Sequence, residues 1–303
     1  NYKKSKKIED LPFIPTNIFK KFEIKSVKDN EIVKVLKSSG TSGSPSKIFL
    51  DKFNAQNQRI ILGKIVSNIL GKNRLPMLIV DKNLIKRPQK SFSARDAEIN
   101  GFSIFGKDPH FLLNDDGEID YKNLNKFIDR HHKEKIFIFG FTSFVYENLI
   151  KKLDKSKFNR DLSNSILIHG GGWKKMENKK ITNMQFKKDF KNKFKIKKIH
   201  NYYGLVEQTG SIFFDCEKCG CFITSIFSDV IVRDSNFKVT EDGKNGIIQL
   251  LSVLPTSYPG HNLLTEDEGK IIVSNKCECS SKGKRFIVIG RNKESEIRGC
   301  SDV

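Results

Sequence analysis

The stretch Ser38–Lys47, SSGTSGSPSK, gathers the groups that a polyphosphate requires. Gly40 and Gly43 permit positive φ and close backbone approach to a ligand. Ser38, Ser39, Thr41, Ser42 and Ser44 offer hydroxyl donors, and Lys47 adds a cation. Successive backbone N–H groups in such a loop can form an anion-binding nest. The G-x-x-x-x-G-K-[ST] spacing of a Walker A loop is absent, and a flexible Ser/Gly linker has the same composition. Position favours the phosphate reading, because the loop lies between two strand-like runs, IVKVLK and SKIFL.

Three more segments carry usable chemistry. Gly170, Gly171 and Gly172 end the strand-like run NSILIHGGG, where bare backbone can pack against a flat base. NYYGLVEQTG, Asn201–Gly210, ends another run and offers an aromatic face at Tyr203, followed by Gly204 and a carboxylate at Glu207. TEDEG, Thr265–Gly269, places Asp267 beside a turn, where it could accept ribose hydroxyls. Taken singly, each has a plain structural alternative: a turn, a core aromatic, a turn residue. His169 and His200 precede two of these segments and read as strand-end histidines that satisfy hydrogen bonds. No Ser-His-Asp arrangement is evident. A carboxylate attacking the α-phosphate of ATP needs none, because it is already a nucleophile at neutral pH; it needs alignment and relief of anion–anion repulsion.

The cysteines form a second constellation. Five of the six fall in two groups, Cys216, Cys219 and Cys221 in DCEKCGC, and Cys277 and Cys279 in KCECSSKGKR. C-x-x-C with a distant C-x-C can supply four thiolates to a structural, tetrahedral Zn²⁺. Five candidates for four places leave Cys219 against Cys221 open, and thiols at turns are the alternative. Such grouping suits a reducing, cytoplasmic setting better than a disulfide framework.

These residues sit on an alternating pattern. Strand-like SKIFL, PMLIV, EKIFIFGF and NSILIHGGG are interleaved with helix-like stretches through FNAQNQRIILGKIVSNIL, SFVYENLIKKL and Lys179–Phe194. That alternation predicts βαβ units and a largely parallel sheet. After about Tyr202 the pattern becomes SIFFDC, ITSIFSDVIVRD, NGIIQLLSVL, GKIIVS and KRFIVIG, a β-rich subdomain. The expected division is 1–201 as the α/β nucleotide- and acyl-binding part, 202–289 as the β-rich subdomain with the cysteines, and 290–303 as a hinge or tail.

The bulk properties fit a globular protein with a sizeable core: 303 residues, 37% hydrophobic, 24 Phe and 30% charged. The net charge of +20 favours anionic partners. The lysines are spread along the chain, as solvated faces are, and no zinc-finger spacing or aromatic RNA-binding signature accompanies them. No apolar run approaches the roughly 18 residues of a membrane span. The start, NYKKSKKIEDLPF, has no apolar core after its lysines and does not read as a signal peptide.

In this order and spacing, LPFIPTNIFK, SSGTSGSPSK, HGGGWKK, NYYGLVEQTG, LSVLPTSYPGHNLLTEDEG and GRNKESEIRGCSD resemble the adenylate-forming superfamily of acyl- and aryl-coenzyme A ligases. The resemblance is sharper to one branch, the acyl-protein synthetases of bacterial luciferase operons and their relatives in polysaccharide gene clusters. It implies the large N-terminal domain of those α/β enzymes, with ATP and Mg²⁺ as cofactors. By position, Ser38–Lys47 would hold the ATP phosphates, Gly170–Gly172 and Tyr203 would bracket adenine, and Glu207 would hold Mg²⁺. Asp267 would take the ribose hydroxyls, and Arg291 would touch the nucleotide near the hinge. Phe139, Gly140 and Thr142, at a strand end, would line the acyl pocket. Branch members carry an acyl-accepting cysteine near their C-terminus, and Cys300 in RGCSD holds that place, with Arg298 nearby to lower its pKa. An inert cysteine in a hinge turn is the other reading. Longer superfamily members deliver a catalytic Lys from a further C-terminal domain of roughly 100 residues. This sequence ends just past the hinge-like segment, so that small domain is expected to be largely absent.

The expected activity is therefore ATP-dependent activation of a carboxylic acid, a fatty acid foremost, as acyl-AMP. Transfer to a thiol follows, at Cys300 and then to an acyl-reductase or acyl-carrier partner. One alternative changes the acceptor to coenzyme A; another is a basic, zinc-containing nucleic-acid-binding protein.

Overall fold

The computed structural model describes residues 5–38, 45–83, 94–173, 181–273, 277, 279 and 282–291. The first half of the chain contains β1 (Ile14–Pro15), α1 (Ile18–Lys21), β2 (Ile32–Lys37), β3 (Lys47–Asp51), α2 (Lys52–Leu70), β4 (Leu75–Lys82), α3 (Ala94–Ser103), β5 (Gly106–Leu113), α4 (Tyr121–Arg130), β6 (Phe137–Phe141) and α5 (Thr142–Val145). α5 continues as a π-helical turn, Tyr146–Lys152. The second half contains β7 (Ile166–Gly170), α6 (Asn183–Phe194), β8 (Lys198–Gly204), β9 (Ile212–Phe214), β10 (Phe222–Ile223), β11 (Ser228–Arg233), β12 (Gly246–Ser252), β13 (Asn262–Ile271) and β14 (Arg285–Arg291). Among the described residues two compact units result, one within 66–202 and one formed by the segments before 66 and after 202.

In the 66–202 unit, parallel strands run in the order β5-β4-β6-β7-β8. β6 and β7 are buried at every residue, which is why FIFGF and ILIHG read as unbroken apolar runs and not as alternating ones. α6 begins where the Thr182 hydroxyl accepts from the Gln185 N–H and ends at Lys195, which adopts a left-handed conformation. Its Phe186, Phe190 and Phe194 recur every four residues, so they share one face and enter the core beside Leu167 and Ile199. Each buried Phe contributes roughly 1.5–3 kcal/mol. The expected helix start at Lys179 shifts to Asn183, because Thr182 is the residue able to cap it.

The other unit is built on an antiparallel sheet, β10-β14-β13-β12-β11, with β1 added in parallel on β13. The N-terminal residues join this sheet through tertiary contacts. Phe19, Ile48 and Leu50 pack with Tyr258 and Leu263. The Asn54 side-chain amide donates to the Leu254 carbonyl (2.6 Å), and the Ser257 hydroxyl donates to that of Phe49 (2.8 Å). β2 and β3 form a hairpin, with Lys37 opposite Lys47.

Two local expectations change. TEDEG is not a turn but lies inside β13, with a register irregularity at Glu268/Gly269. A strand tolerates this polarity because two of its three charges have partners: Lys20 for Glu266, and Arg291 opposite Asp267. Conversely, ITSIFSDVIVRD is not continuous. Hydrogen bonds among Ser225, Phe227 and Ser228 make a turn between β10 and β11.

Candidate functional site

The Ser/Gly loop is the connection of the β2–β3 hairpin. Its ends are stapled: the Ser38 N–H donates to the Ser46 carbonyl (3.1 Å), and the Ser46 N–H donates to the Ser38 hydroxyl oxygen (2.9 Å). Ser39, Gly40, Thr41, Ser42, Gly43 and Ser44 lie outside the described residues. Lys47, first residue of β3, pairs with Glu23 at 2.6 Å on the surface. Exposed pairs of this kind are weak and easily exchanged for a better anion.

Ser46 brings this loop next to Glu207. Its buried hydroxyl lies beside the Glu207 side chain without a hydrogen-bond partner, and Glu207 is buried just after β8, in a short 3₁₀ turn. Burial raises its pKa, against the lowering effects of Ser46, its own backbone N–H and the charge of Lys20. Lys20 in turn reaches Glu266 at 3.0 Å. The next residue, Gln208, anchors the turn: its amide donates to the carbonyls of Leu250 (3.0 Å) and Gly260 (2.9 Å). A buried carboxyl displaced from its charged form is a group that a cation would relieve, so the residues present fit Mg²⁺.

A second group forms where β8 meets β13 and β14. The Tyr203 hydroxyl donates to Asp267 Oδ2 at 2.6 Å, and Arg291 Nε lies 3.8 Å from Asp267 Oδ1. Asp267 has its pKa raised by burial, with the Tyr203 hydrogen bond and the Arg291 charge opposing. Burial also raises Tyr203 well above the usual phenol value, so it stays a neutral donor. Its ring packs on Phe213, Phe222 and Phe286 but remains half-buried. The arrangement offers a fixed carboxylate, a cation and a partly open aromatic surface, which together suit a nucleoside.

In the 66–202 unit, Phe141 of β6 sits opposite Gly170 of β7, so both strand ends open on the carboxyl edge of the parallel sheet. The Thr142 hydroxyl donates to the Gly170 carbonyl (2.9 Å) and lies 2.9 Å from His169 Nδ1. His169 is fully buried and stacked on Phe186, and burial lowers its pKa well below the usual value, so the ring is neutral. Gly171 has φ +78°, and a Cβ there would meet the Phe141 ring at 2.8 Å. Phe139 is stacked on Phe102 in the core at 4.4 Å, and a Cβ on Gly140 would meet Val145 at 2.7 Å. Among these residues it is the strand-end backbone, rather than the Phe139 or Thr142 side chain, that can face a ligand.

The cysteine groups converge within the 203–298 part. Sγ atoms of Cys216, Cys277 and Cys279 lie within 4.8 Å of one another. Cys219 lies next to Cys216, Cys277 and Cys221 without joining that tightest group, and the Cys221 thiol is directed to the Cys219 carbonyl (3.7 Å). Cys300 and Arg298 lie outside the described residues.

Across residues 3–303 the chain matches the model of the acyl-protein synthetase family, LuxE. It belongs to that family. Two relatives are long-chain-fatty-acid–luciferin-component ligases. The one from Vibrio harveyi is 23% identical over 97% of this chain and 77% of its own length. The one from Aliivibrio fischeri is 23% identical over 86% and 69%. Among solved structures, a 2-hydroxyisobutyryl-CoA ligase in the postadenylation state, in complex with 2-HIB-AMP, superimposes with a TM-score of 0.68 at 15% identity, over 94% of this chain. The chain spans 60% of that enzyme's length, and the fold is that of the N-terminal domain of adenylate-forming enzymes.

For this LuxE-family chain, the residues that sequence reasoning missed are Lys20, Ser46, Gln208 and Glu266. Lys20 and Ser46 stand inside quoted family segments, LPFIPTNIFK and SSGTSGSPSK, so a signal was present; Gln208 follows Glu207 in NYYGLVEQTG. What the sequence lacked was any indication that residues 246 apart, Lys20 and Glu266, meet. Among the described residues, no helix is long and apolar enough to cross a membrane.

Proposed function

We propose that this chain activates a carboxylic acid, with long-chain fatty acids as the substrate class, by attack on the α-phosphate of ATP. The products are acyl-AMP and pyrophosphate. The observation that carries this reading is a juxtaposition: Ser46, which closes the Ser/Gly hairpin loop, lies beside the buried Glu207 side chain with its own hydroxyl buried and unpartnered. A phosphate grip and a cation-seeking carboxyl are thereby held side by side.

Under this reading the loop N–H and hydroxyl groups bind the β- and γ-phosphates, and Lys47 leaves Glu23 to join them. Glu207 holds Mg²⁺, which when bound neutralises phosphate charge and lets an anionic carboxylate approach. Asp267 accepts the ribose hydroxyls through its oxygen facing Arg291, while Tyr203 fixes the other oxygen. Gly170–Gly172, with Tyr203, are assigned to adenine, and the strand end at Phe139–Thr142 to the acyl group. The acyl carbonyl then passes to the Cys300 thiolate: the C–S bond forms, the C–O bond to phosphate breaks, and AMP leaves. A partner protein, an acyl reductase or acyl carrier, takes the acyl group from there. The reading includes a Zn²⁺ on the cysteine group with no part in the chemistry, and a cytoplasmic location.

Nucleotide products test the reaction type. With ATP, Mg²⁺ and a long-chain fatty acid, AMP and pyrophosphate are expected in equal amounts by chromatography. ADP and phosphate in their place would assign an acyl-phosphate reaction and reject the adenylate.

A further inference from the structure

The sequence left the fourth metal position open between Cys219 and Cys221, and gave the metal no task beyond tying strands together. Cys216 and Cys219 lie in the turn between β9 and β10, and Cys277 and Cys279 between β13 and β14. The Cys216 and Cys277 sulfurs are 3.6 Å apart. Two thiolates sharing a tetrahedral Zn²⁺ at Zn–S of roughly 2.3 Å are separated by about 3.8 Å. The cluster thus has the spacing of a metal site, and it is too open for a covalent S–S bond.

The surroundings of the sulfurs agree. The Cys219 and Lys218 N–H groups point at Cys216 Sγ, the Cys221 N–H at Cys219 Sγ, and the Cys279 N–H at Cys277 Sγ. Gly220, at φ +70°, follows Cys219, and its N–H donates to the Cys216 carbonyl at 2.8 Å, which tightens the turn around both sulfurs. Arg285 Nη2 donates to Cys279 Sγ at 3.1 Å. Four thiolates and one Zn²⁺ carry a net charge of about −2. A guanidinium and backbone dipoles aimed at sulfur are the outer contacts such a charge requires.

We infer that Cys216, Cys219, Cys277 and Cys279 bind one Zn²⁺, and that this clasp positions the strand carrying Arg291. Cys221 is outside the ligand set, because its thiol is directed to the Cys219 carbonyl. β14 starts at Arg285, which touches the cluster, and ends at Arg291, paired in register with Asp267. Phe286 of β14 and Phe222 of β10, paired with each other beside the clasp, both pack on the Tyr203 ring. Closing the metal site therefore fixes the strand pair and the aromatic floor that hold Tyr203, Asp267 and Arg291. The positioning role rests on the nucleotide reading above; metal binding does not.

The test is metal analysis of the full chain purified without chelator. One Zn²⁺ per chain is expected, replaceable by Co²⁺ with the visible bands and thiolate charge-transfer absorption of a tetrahedral sulfur site. Cys219→Ser and Cys277→Ser are expected to lose stoichiometric metal, and Cys221→Ser to keep it. Wild-type protein that neither contains Zn²⁺ nor takes up Co²⁺ overturns the site, a result that needs no variant to fold. Metal lost in Cys221→Ser but kept in Cys219→Ser overturns the ligand set. Removing the metal from wild type is expected to weaken ATP binding several-fold, restored by Zn²⁺. Unchanged ATP binding overturns the positioning role while leaving the metal site intact. Metal-loaded protein that binds no ATP rejects the nucleotide reading instead.

Discussion

Glu207→Gln is expected to lower fatty-acid-dependent ATP–pyrophosphate exchange by about 100-fold or more, the scale on which one preorganised charge-stabilising group acts. The variant keeps the shape but cannot hold Mg²⁺ as a carboxylate does. Its stability should move the other way. Burial raises the Glu207 pKa above its ordinary 4.5. The folded state therefore holds the proton more tightly than the unfolded state, and the benefit of the protonated form is complete below 4.5 and lost as pH rises through the folded value. Without ligand, wild type should lose stability relative to Glu207→Gln as pH rises above 4.5, the direction set by that upward shift, and the melting-temperature gap should widen with pH. Exchange within about twofold of wild type would remove Glu207 from the site. A gap that narrows as pH rises would show that its carboxyl is not held in the protonated form.

Cys300→Ser is expected to abolish the covalent acyl-enzyme while leaving exchange in place. Wild type incubated with labelled fatty acid and ATP should retain label that hydroxylamine releases, as a thioester does; the variant should retain none. Adenylation and transfer are separate half-reactions, so the loss should be confined to the second. Label kept on the variant at the wild-type level would place the acceptor elsewhere. Acyl-coenzyme A formed directly by the variant would favour coenzyme A as acceptor.

Much of the fold was legible because its determinants are local. The buried runs FIFGF and ILIHG announce central parallel strands, and the spacing of Phe186, Phe190 and Phe194 announces a helix. β5 is hard to read because Pro109 interrupts its pattern, a residue tolerated there since β5 lies at the end of the parallel strand order. α4 carries a readable signal, Asp120 capping the Asn123 N–H ahead of Leu124, Phe127 and Ile128. The sequence places Asp267 beside a turn because five polar or small residues in a row look like one. Only Arg291 and Lys20, brought in from far along the chain, make that sequence workable as a strand. The same limit governs the site. Glu207, Tyr203 and Asp267 could be singled out by type and resemblance, but the approach of Ser46 to Glu207, the Gln208 anchor and the choice of Cys219 over Cys221 depend on contacts that no spacing encodes.

The central claim is that the Ser/Gly hairpin loop and Glu207 serve formation of an acyl-adenylate. It is tested most directly by ATP–pyrophosphate exchange on the wild-type protein across a panel of carboxylic acids. Exchange that requires both Mg²⁺ and an acid, and that is strongest with long-chain fatty acids, is the predicted result. No exchange above the acid-free background with any member of the panel, in protein shown to be folded, would contradict it.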